Sequence, residues 1–243
     1  MVDETNKVLI LGSAPCAMAA QRWDRAPFTH IVAINNAWRI RSDWDFLIHP
    51  EDFPHAKRPD SPNPGQKIVT AEEYVPRQNE YGGFVYAGGT MAFTAGYWAL
   101  SALKPSVLAY FGCDMVYSGS GRTHFYGTGQ PDPLRADITL RSLEAKSARL
   151  GLFAALQGCR AVRLSTGESR LVFPSVKHDD PATCPLHETS GMAEALRVEA
   201  ELGYSVPSGR YWEVERRFDP NRIDALDRLW LTTYKNAGLE QVA

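Results

Sequence analysis

The chain has 243 residues, 44% of them apolar and 22% charged; that length suits one large domain, or one domain with a subdomain, and the apolar content excludes a disordered chain. Basic and acidic side chains number 26 and 28, a formal charge of −2, which excludes the electrostatic footprint of a nucleic-acid binder. No stretch has the apolar length of a membrane span, and the polar start MVDETNK lacks the form of a secretory signal, so a cytoplasmic address is expected.

Apolar runs alternate with segments of helical period, which predicts an α/β fold: a Rossmann-like, mostly parallel sheet with helices on both faces. The run VLILGSAPC predicts a first strand over 7–11, a turn over 12–15 and a helix over 16–22. HIVAIN predicts a second strand over 30–35, and WDFLIHP a third over 44–50 that ends in Glu51 and Asp52. Four prolines make 53–65 a loop, and QKIVTAEEY predicts a fourth short strand over 66–74. The glycine-rich corner YGGFVYAGGT opens a long helix over 90–103, and SVLAYFGCDMVY predicts a strand over 106–117.

A polar loop over 118–137 has the length of a functional lid or binding loop. A helix over 138–157 follows, closed by Gly158, and CRAVRLST predicts the last strand, over 159–166. Beyond Pro174 no strand is expected. GMAEALRVEAELG and NRIDALDRLWLTTYKNAG predict two helices, the second amphipathic through Ile223, Leu226, Leu229 and Trp230. The organisation expected is a Rossmann-like nucleotide-binding domain over 1–174 and a helical C-terminal extension over 175–243, packed on the same domain. Cys16, Cys113, Cys159 and Cys184 show no CxxC spacing and are expected as free thiols.

Open α/β sheets bind ligands beyond the carboxyl ends of their strands, where strand order reverses. The residues expected on that rim are Gly12 and Ser13, Asn35 and Asn36, Glu51 and Asp52, Asp114, and Ser165 with Thr166. The helix start at Gly88, Gly89 and Thr90 joins them. Such a rim suits a nucleotide or nucleotide-sugar: N–H groups and a helix N-terminus for phosphate, amides for base or sugar, acids for hydroxyls. Each element also has a plain structural reading, a tight turn at Gly12 or Asn35 and a packing point at Gly88. Neither GxGxxG nor GxxxxGK[ST] occurs in the chain, so no dinucleotide fingerprint or P-loop is assigned.

His124, in the long loop beside Arg122 and Tyr126, is the first candidate for a general base or phosphate contact, because imidazole titrates near neutral pH. Asp114 is the second catalytic candidate, to deprotonate an acceptor hydroxyl or orient a sugar. Tyr117 and Tyr126 are candidate ligand contacts, and Arg39, Arg41, Arg122 and Arg135 are candidate partners for phosphate charge. The acids and histidines of HPEDFPH, and CPLH with His178, have no regular ligand spacing, so no metal ligand is assigned.

In order along the chain, KVLILGSAP, AINNAW, GGTMAFTAGYWAL, SVLAYFGCDMVY and HFYG before a helix resemble the bacterial sialyltransferases that use CMP-sialic acid. They also resemble a related Rossmann-like group that includes archaeal 6-hydroxymethylpterin diphosphokinases. The similarity covers roughly residues 7–171. It implies that Ser13 stands where the family has a nucleotide-contacting asparagine, and that Asn35 or Asn36 lies near the donor. It further implies that Gly88 and Gly89 match the family's cytidine- or phosphate-contacting pair, and that Gly112 and Asp114 match its Gly-x-Asp. Two departures stand out. The stretch GTGQPDPLRAD holds no counterpart of the family's histidine before the helix, and FVY replaces its arginine.

What the resemblance implies is a metal-independent transferase of glycosyltransferase type, taking a nucleotide-linked (CMP-linked) donor as substrate with no required cofactor, and a glycan or small acceptor. The alternatives are a pterin or nucleotide diphosphokinase-like enzyme, whose magnesium would need Glu51, Asp52 and Asp114, or a catalytically inactive nucleotide- or glycan-binding protein. Neither a nucleic-acid partner nor a membrane span is expected, and oligomerisation stays open.

Overall fold

The structure, a computed structural model, describes residues 5–117, 121–128 and 135–239. Six strands form one sheet: β1 (Lys7–Leu11), β2 (His30–Ile34), β3 (Phe46–Ile48), β4 (Lys67–Val69), β5 (Val107–Phe111) and β6 (Arg160–Arg163). Their order is β4-β3-β2-β1-β5-β6, and every pairing is parallel. The apolar run of β1 follows from its place at the centre. Val8 and Ile10 face one core while Leu9 and Leu11 face another, and all four are fully buried. A strand covered on both sides has no polar alternation to show.

One face of the sheet is covered by α-helices: α1 (Ala71–Asn79), α2 (Phe84–Ala87), α3 (Met91–Ala102) and α4 (Leu143–Leu156). The other face is covered by 3-10 segments at Pro15–Arg22 and Asn35–Arg39 and by loops. The chain adds β2, β3 and β4 outward from β1, then returns through α1 to α3 and lays β5 on the opposite side of β1. The strand order therefore reverses between β1 and β5, which is where this architecture opens a crevice for ligands.

The C-terminal helices α5 (Met192–Leu202) and α6 (Pro220–Leu239) pack on α4 and on each other around a third apolar cluster that includes Leu152, Ile223, Leu226 and Trp230. Buried ions join these layers. Arg149 of α4 forks onto Glu199 of α5 at 2.7 and 2.8 Å and also donates to the Tyr97 hydroxyl, while Trp230 of α6 donates to the same carboxylate at 2.8 Å. Lys146 meets Asp227 at 2.8 Å. Among the described residues no helix is long and apolar enough to cross a membrane, and all four cysteines are free.

Several predicted boundaries are corrected. The segment 66–74 is strand only over Lys67–Val69; Thr70 then breaks into an extended conformation and α1 begins at Ala71. The helix expected over 138–157 is split into a 3-10 turn at Ile138–Leu140 and α4, because the Ser142 hydroxyl accepts from Ala145 N at 3.1 Å and starts a fresh helix. Gly158, at φ 74°, follows the end of α4 as expected. Of the loop 118–137, residues 118–120 and 129–134 lie outside the described residues.

Candidate functional site

At the switch point the ends of β1 and β5 touch. A Cβ on Gly12 would stand 2.3 Å from Gly112 O and 2.5 Å from Cys113 Sγ, and one on Gly112, at φ +70°, would stand 2.6 Å from Ala17 Cβ. Only glycine pairs the two turns this closely. Gly12 N donates to Phe111 O and Ala14 N to Gly112 O, so these amides knit the floor together rather than face a ligand.

Above that floor lies a small cavity of about 110 Å³, lined by Gly12, Ser13, Asn35, Thr90, Gly112 and His124 among others. The start of α3 opens into it. Thr90 caps the helix by accepting from Phe93 N at 3.4 Å, and Met91 and Ala92, its first two residues, line the cavity. First-turn amides have no intrahelical acceptors, and the helix dipole places partial positive charge there, so this end favours an anion.

Beside it is a cleft of about 970 Å³, and the two share Asn35 and Met91 in their walls. Asn35 sits at φ 51°, a left-handed conformation that asparagine tolerates, with its buried Oδ1 unpartnered among the described residues. The cleft is bounded by Glu51, Asp52 and Phe53 after β3, by Glu72 and Tyr74 of α1, and by Gly89. Arg210, Tyr211 and Trp212 complete its lining, the last two at the start of a 3-10 segment at Tyr211–Arg217 that Arg210 precedes. Together the cavities reach and exceed the roughly 300–1,000 Å³ common for ligand sites.

A hydrogen-bonded network fixes the mouth. The Asp137 carboxylate accepts from Thr139 N and Oγ1 at 2.7 and 2.6 Å, from Arg135 Nε at 3.0 Å and from the Tyr211 hydroxyl at 2.8 Å. Gly89 N donates to Thr139 Oγ1 at 3.1 Å. Burial raises the Asp137 pKa, but these donors outweigh it and hold the carboxyl below its usual range. The Tyr211 phenol is raised by burial and by the carboxylate that it faces.

The fragment HFYG forms a tight turn in which His124 N donates to Gly127 O and Gly127 N to His124 O. Phe125 N donates to Ser13 O at 3.0 Å and its ring joins the core, which docks the turn beside β1. The His124 ring stacks on Tyr126 at 4.9 Å and its Nδ1 pairs with Thr123 Oγ1 at 2.9 Å. Burial lowers its pKa, so at neutral pH the ring is uncharged and able to accept a proton. Cys113 shares the cavity wall, but burial lifts its thiol far above the usual range.

Of the rim residues expected from the sequence, Gly12, Ser13, Asn35, Thr90 and His124 meet in the small cavity, and Gly89 lines the large one. Glu51 and Asp52 line the large cleft as well, and the others lie elsewhere. Asp114 turns away from both cavities: its Oδ1 accepts from the Ser165 hydroxyl and its Oδ2 faces Cys16 Sγ at 3.6 Å, a tie between the ends of β5 and β6. That contact helps push the Cys16 thiol, raised first by burial, up to about 11. Gly88 is a packing point, where a Cβ would stand 2.7 Å from Phe93. Asn36 is buried behind Asn35 with its Oδ1 unpartnered among the described residues, and Tyr126 supports His124 without lining either of these cavities.

Arg41 forks onto Asp43 and two carbonyls and holds a corner together. The three carboxylates of the magnesium alternative are not assembled: Glu51 and Asp52 line the cleft while Asp114 bonds Ser165. Among the described residues no three His, Cys, Asp or Glu side chains gather as metal ligands. Sequence reasoning missed Asp137, Thr94 and the Arg210–Tyr211–Trp212 wall. The aromatic and charged run RYWEVERRF was the available signal, but it has no period that assigns it to a face. No family model matches the chain, and neither a curated protein nor a solved structure gives a match.

Proposed function

We propose that the protein is a transferase that takes a nucleotide-linked donor, with the donor's phosphate at the start of α3 and the acceptor in the adjoining cleft. The observation that carries this reading is the first turn of α3, which opens into the cavity at the β1–β5 switch and shares Asn35 and Met91 with the large cleft. An anion-favouring helix end beside a roomy polar and aromatic cleft suits a two-substrate transfer. In that reaction an acceptor hydroxyl oxygen attacks the donor carbon that bears the phosphate. The new carbon–oxygen bond forms, the bond to the phosphate oxygen breaks and its electron pair leaves with the nucleotide. The hydroxyl proton passes to His124, whose neutral ring is suited to receive it.

The donor expected from the resemblance is CMP-linked. Thermal-shift measurements with CMP, UMP, GMP and AMP and their sugar and diphosphate forms, with and without magnesium, test it. A ligand that binds only the folded state raises the apparent stability. The expected result is a shift with cytidine nucleotides that ignores magnesium, and loss of turnover without loss of CMP affinity in His124→Ala. Absence of any nucleotide shift overturns the proposal. A catalytically silent binder is the second reading, favoured by GTGQPDPLRAD, which has no histidine; unchanged behaviour of His124→Ala in every assay would select it.

A further inference from the structure

The lining of the large cleft carries more acidic than basic side chains. Glu51, Asp52, Glu72 and Asp137 line it against Arg135 and Arg210. Both guanidiniums already have partners, Arg135 in Asp137 at 3.0 Å and Arg210 in Glu213 at 3.5 Å. Arg58 donates to the backbone carbonyls of Glu51 and Phe53 and makes no ion pair with Glu51 or Asp52 among the described residues. Among the described residues Glu51, Asp52 and Glu72 thus make no ion pair.

A second, independent feature points into the same space. Tyr74 is only 6% exposed and lines the cleft beside Glu51 and Asp52. Burial first, and then the charges of Glu51 and Asp52, push its phenol up to about 12, so it remains a protonated donor-acceptor beside the two acids. Thr94, 1% exposed and lining the same cleft, has a buried Oγ1 with no hydrogen-bond partner among the described residues. Buried polar groups without partners are rare in finished structures and mark places where a ligand completes the set. The same cleft is lined by aromatic faces, with Trp212 60% exposed and packed edge-on against Tyr211. Exposed indole beside a polar pocket suits a flat, partly apolar ring face.

We infer that the cleft binds an amino sugar as acceptor, its ammonium group set between Glu51 and Asp52, its hydroxyls on Tyr74 and Thr94, and its ring against the Tyr211–Trp212 wall. This rests on the transferase reading for the word acceptor, but the binding chemistry stands on the cleft alone. A cation at the acidic end and an anion at the start of α3 also give each substrate its own end of the site, because each end repels the other's charge.

Ligand-observed NMR titrations of the whole chain with glucosamine, N-acetylglucosamine, glucose and magnesium separate the possibilities, with CMP titrated in parallel. Glucosamine, at a pH where its amine is protonated, is expected to bind about tenfold more tightly than the two neutral sugars. The exposed double variant Glu51→Gln/Asp52→Asn is expected to lose that preference while binding CMP as before, and Tyr74→Phe to weaken glucosamine a few-fold. Equal binding of the three sugars, a preference that survives in the double variant, or binding of magnesium without glucosamine overturns the inference. Failure of CMP alone overturns the donor reading and leaves the amine site standing; failure of glucosamine alone does the reverse.

Discussion

Asp137 and Tyr211 are 74 residues apart in the chain and meet across a 2.8 Å hydrogen bond in which the phenol donates. That bond ties the C-terminal segment to the turn before α4, at the mouth of the cleft. Tyr211→Phe keeps the ring and removes the donor, so a loss of about 1 kcal/mol is expected. The pH dependence has a definite sign. The folded-state Asp137 pKa is depressed, so its contribution is fully present above the unfolded carboxylate pKa and disappears as pH falls through the folded one. Unfolding curves of the two proteins should therefore differ at neutral pH and converge in acid; a gap that persists below the folded pKa would show that the tyrosine acts through packing alone.

His124 offers the sharpest test of chemistry. Burial holds its pKa below the ordinary 6.5, so the base form required for proton transfer dominates at neutral pH and is lost as pH falls through that lowered value. The acid limb of kcat/KM is expected to have its midpoint below 6.5. His124→Ala should remove that limb and lower kcat by about 10²–10⁴-fold, the range for a general base, with KM nearly unchanged. A pH profile of the variant that keeps the same limb would assign the titration to another group.

The buried ion cluster predicts where stability is concentrated. Arg149 is 1% exposed and held by Glu199, which also accepts from Trp230. Removing one member leaves the other charge buried without a partner, so Glu199→Gln should cost about 3–5 kcal/mol in urea unfolding. Replacing both with apolar residues should cost far less than the sum of the single changes. The exposed Arg197 pairs with Glu194 and Glu201 and is the contrast: Arg197→Ala should leave the urea midpoint nearly unchanged.

The strand ends were legible in the sequence because a parallel sheet buried on both faces writes itself as apolar runs that stop abruptly at Gly12, Asn35 and Gly112. Gly12, Asn35 and Thr90 duly meet at one cavity. The side-chain directions beyond those ends were not legible. Asp114 follows Gly112 at a central strand end, yet Ser165 and Cys16 take both its oxygens, and nothing local announces that preference. The 3-10 segment that holds Tyr211 and Trp212 is kinked at Val214, with φ −127°, so it offers neither the 3.6-residue nor the 2-residue period that sequence reading depends on. α1 was missed for a related reason: it is nine residues long, carries Pro76 inside it, and follows directly on a three-residue strand.

The meeting of the two turns at the floor of the small cavity gives the last prediction. A Cβ at Gly12 lies 2.3 Å from the Gly112 carbonyl, which is backbone and cannot rotate aside, whereas one at Gly167 meets nothing within 4 Å. Gly12→Ala is therefore expected to destabilise the fold by about 1–3 kcal/mol through overpacking, by prising β1 and β5 apart at their ends. Because the same displacement moves the floor beneath the start of α3, nucleotide affinity should fall even at temperatures where the variant is fully folded. Gly167→Ala should leave both quantities unchanged. Measuring CMP affinity and urea stability for the pair separates the two effects: a folded Gly12→Ala protein that binds CMP as the parent does would place the nucleotide somewhere other than the β1–β5 switch.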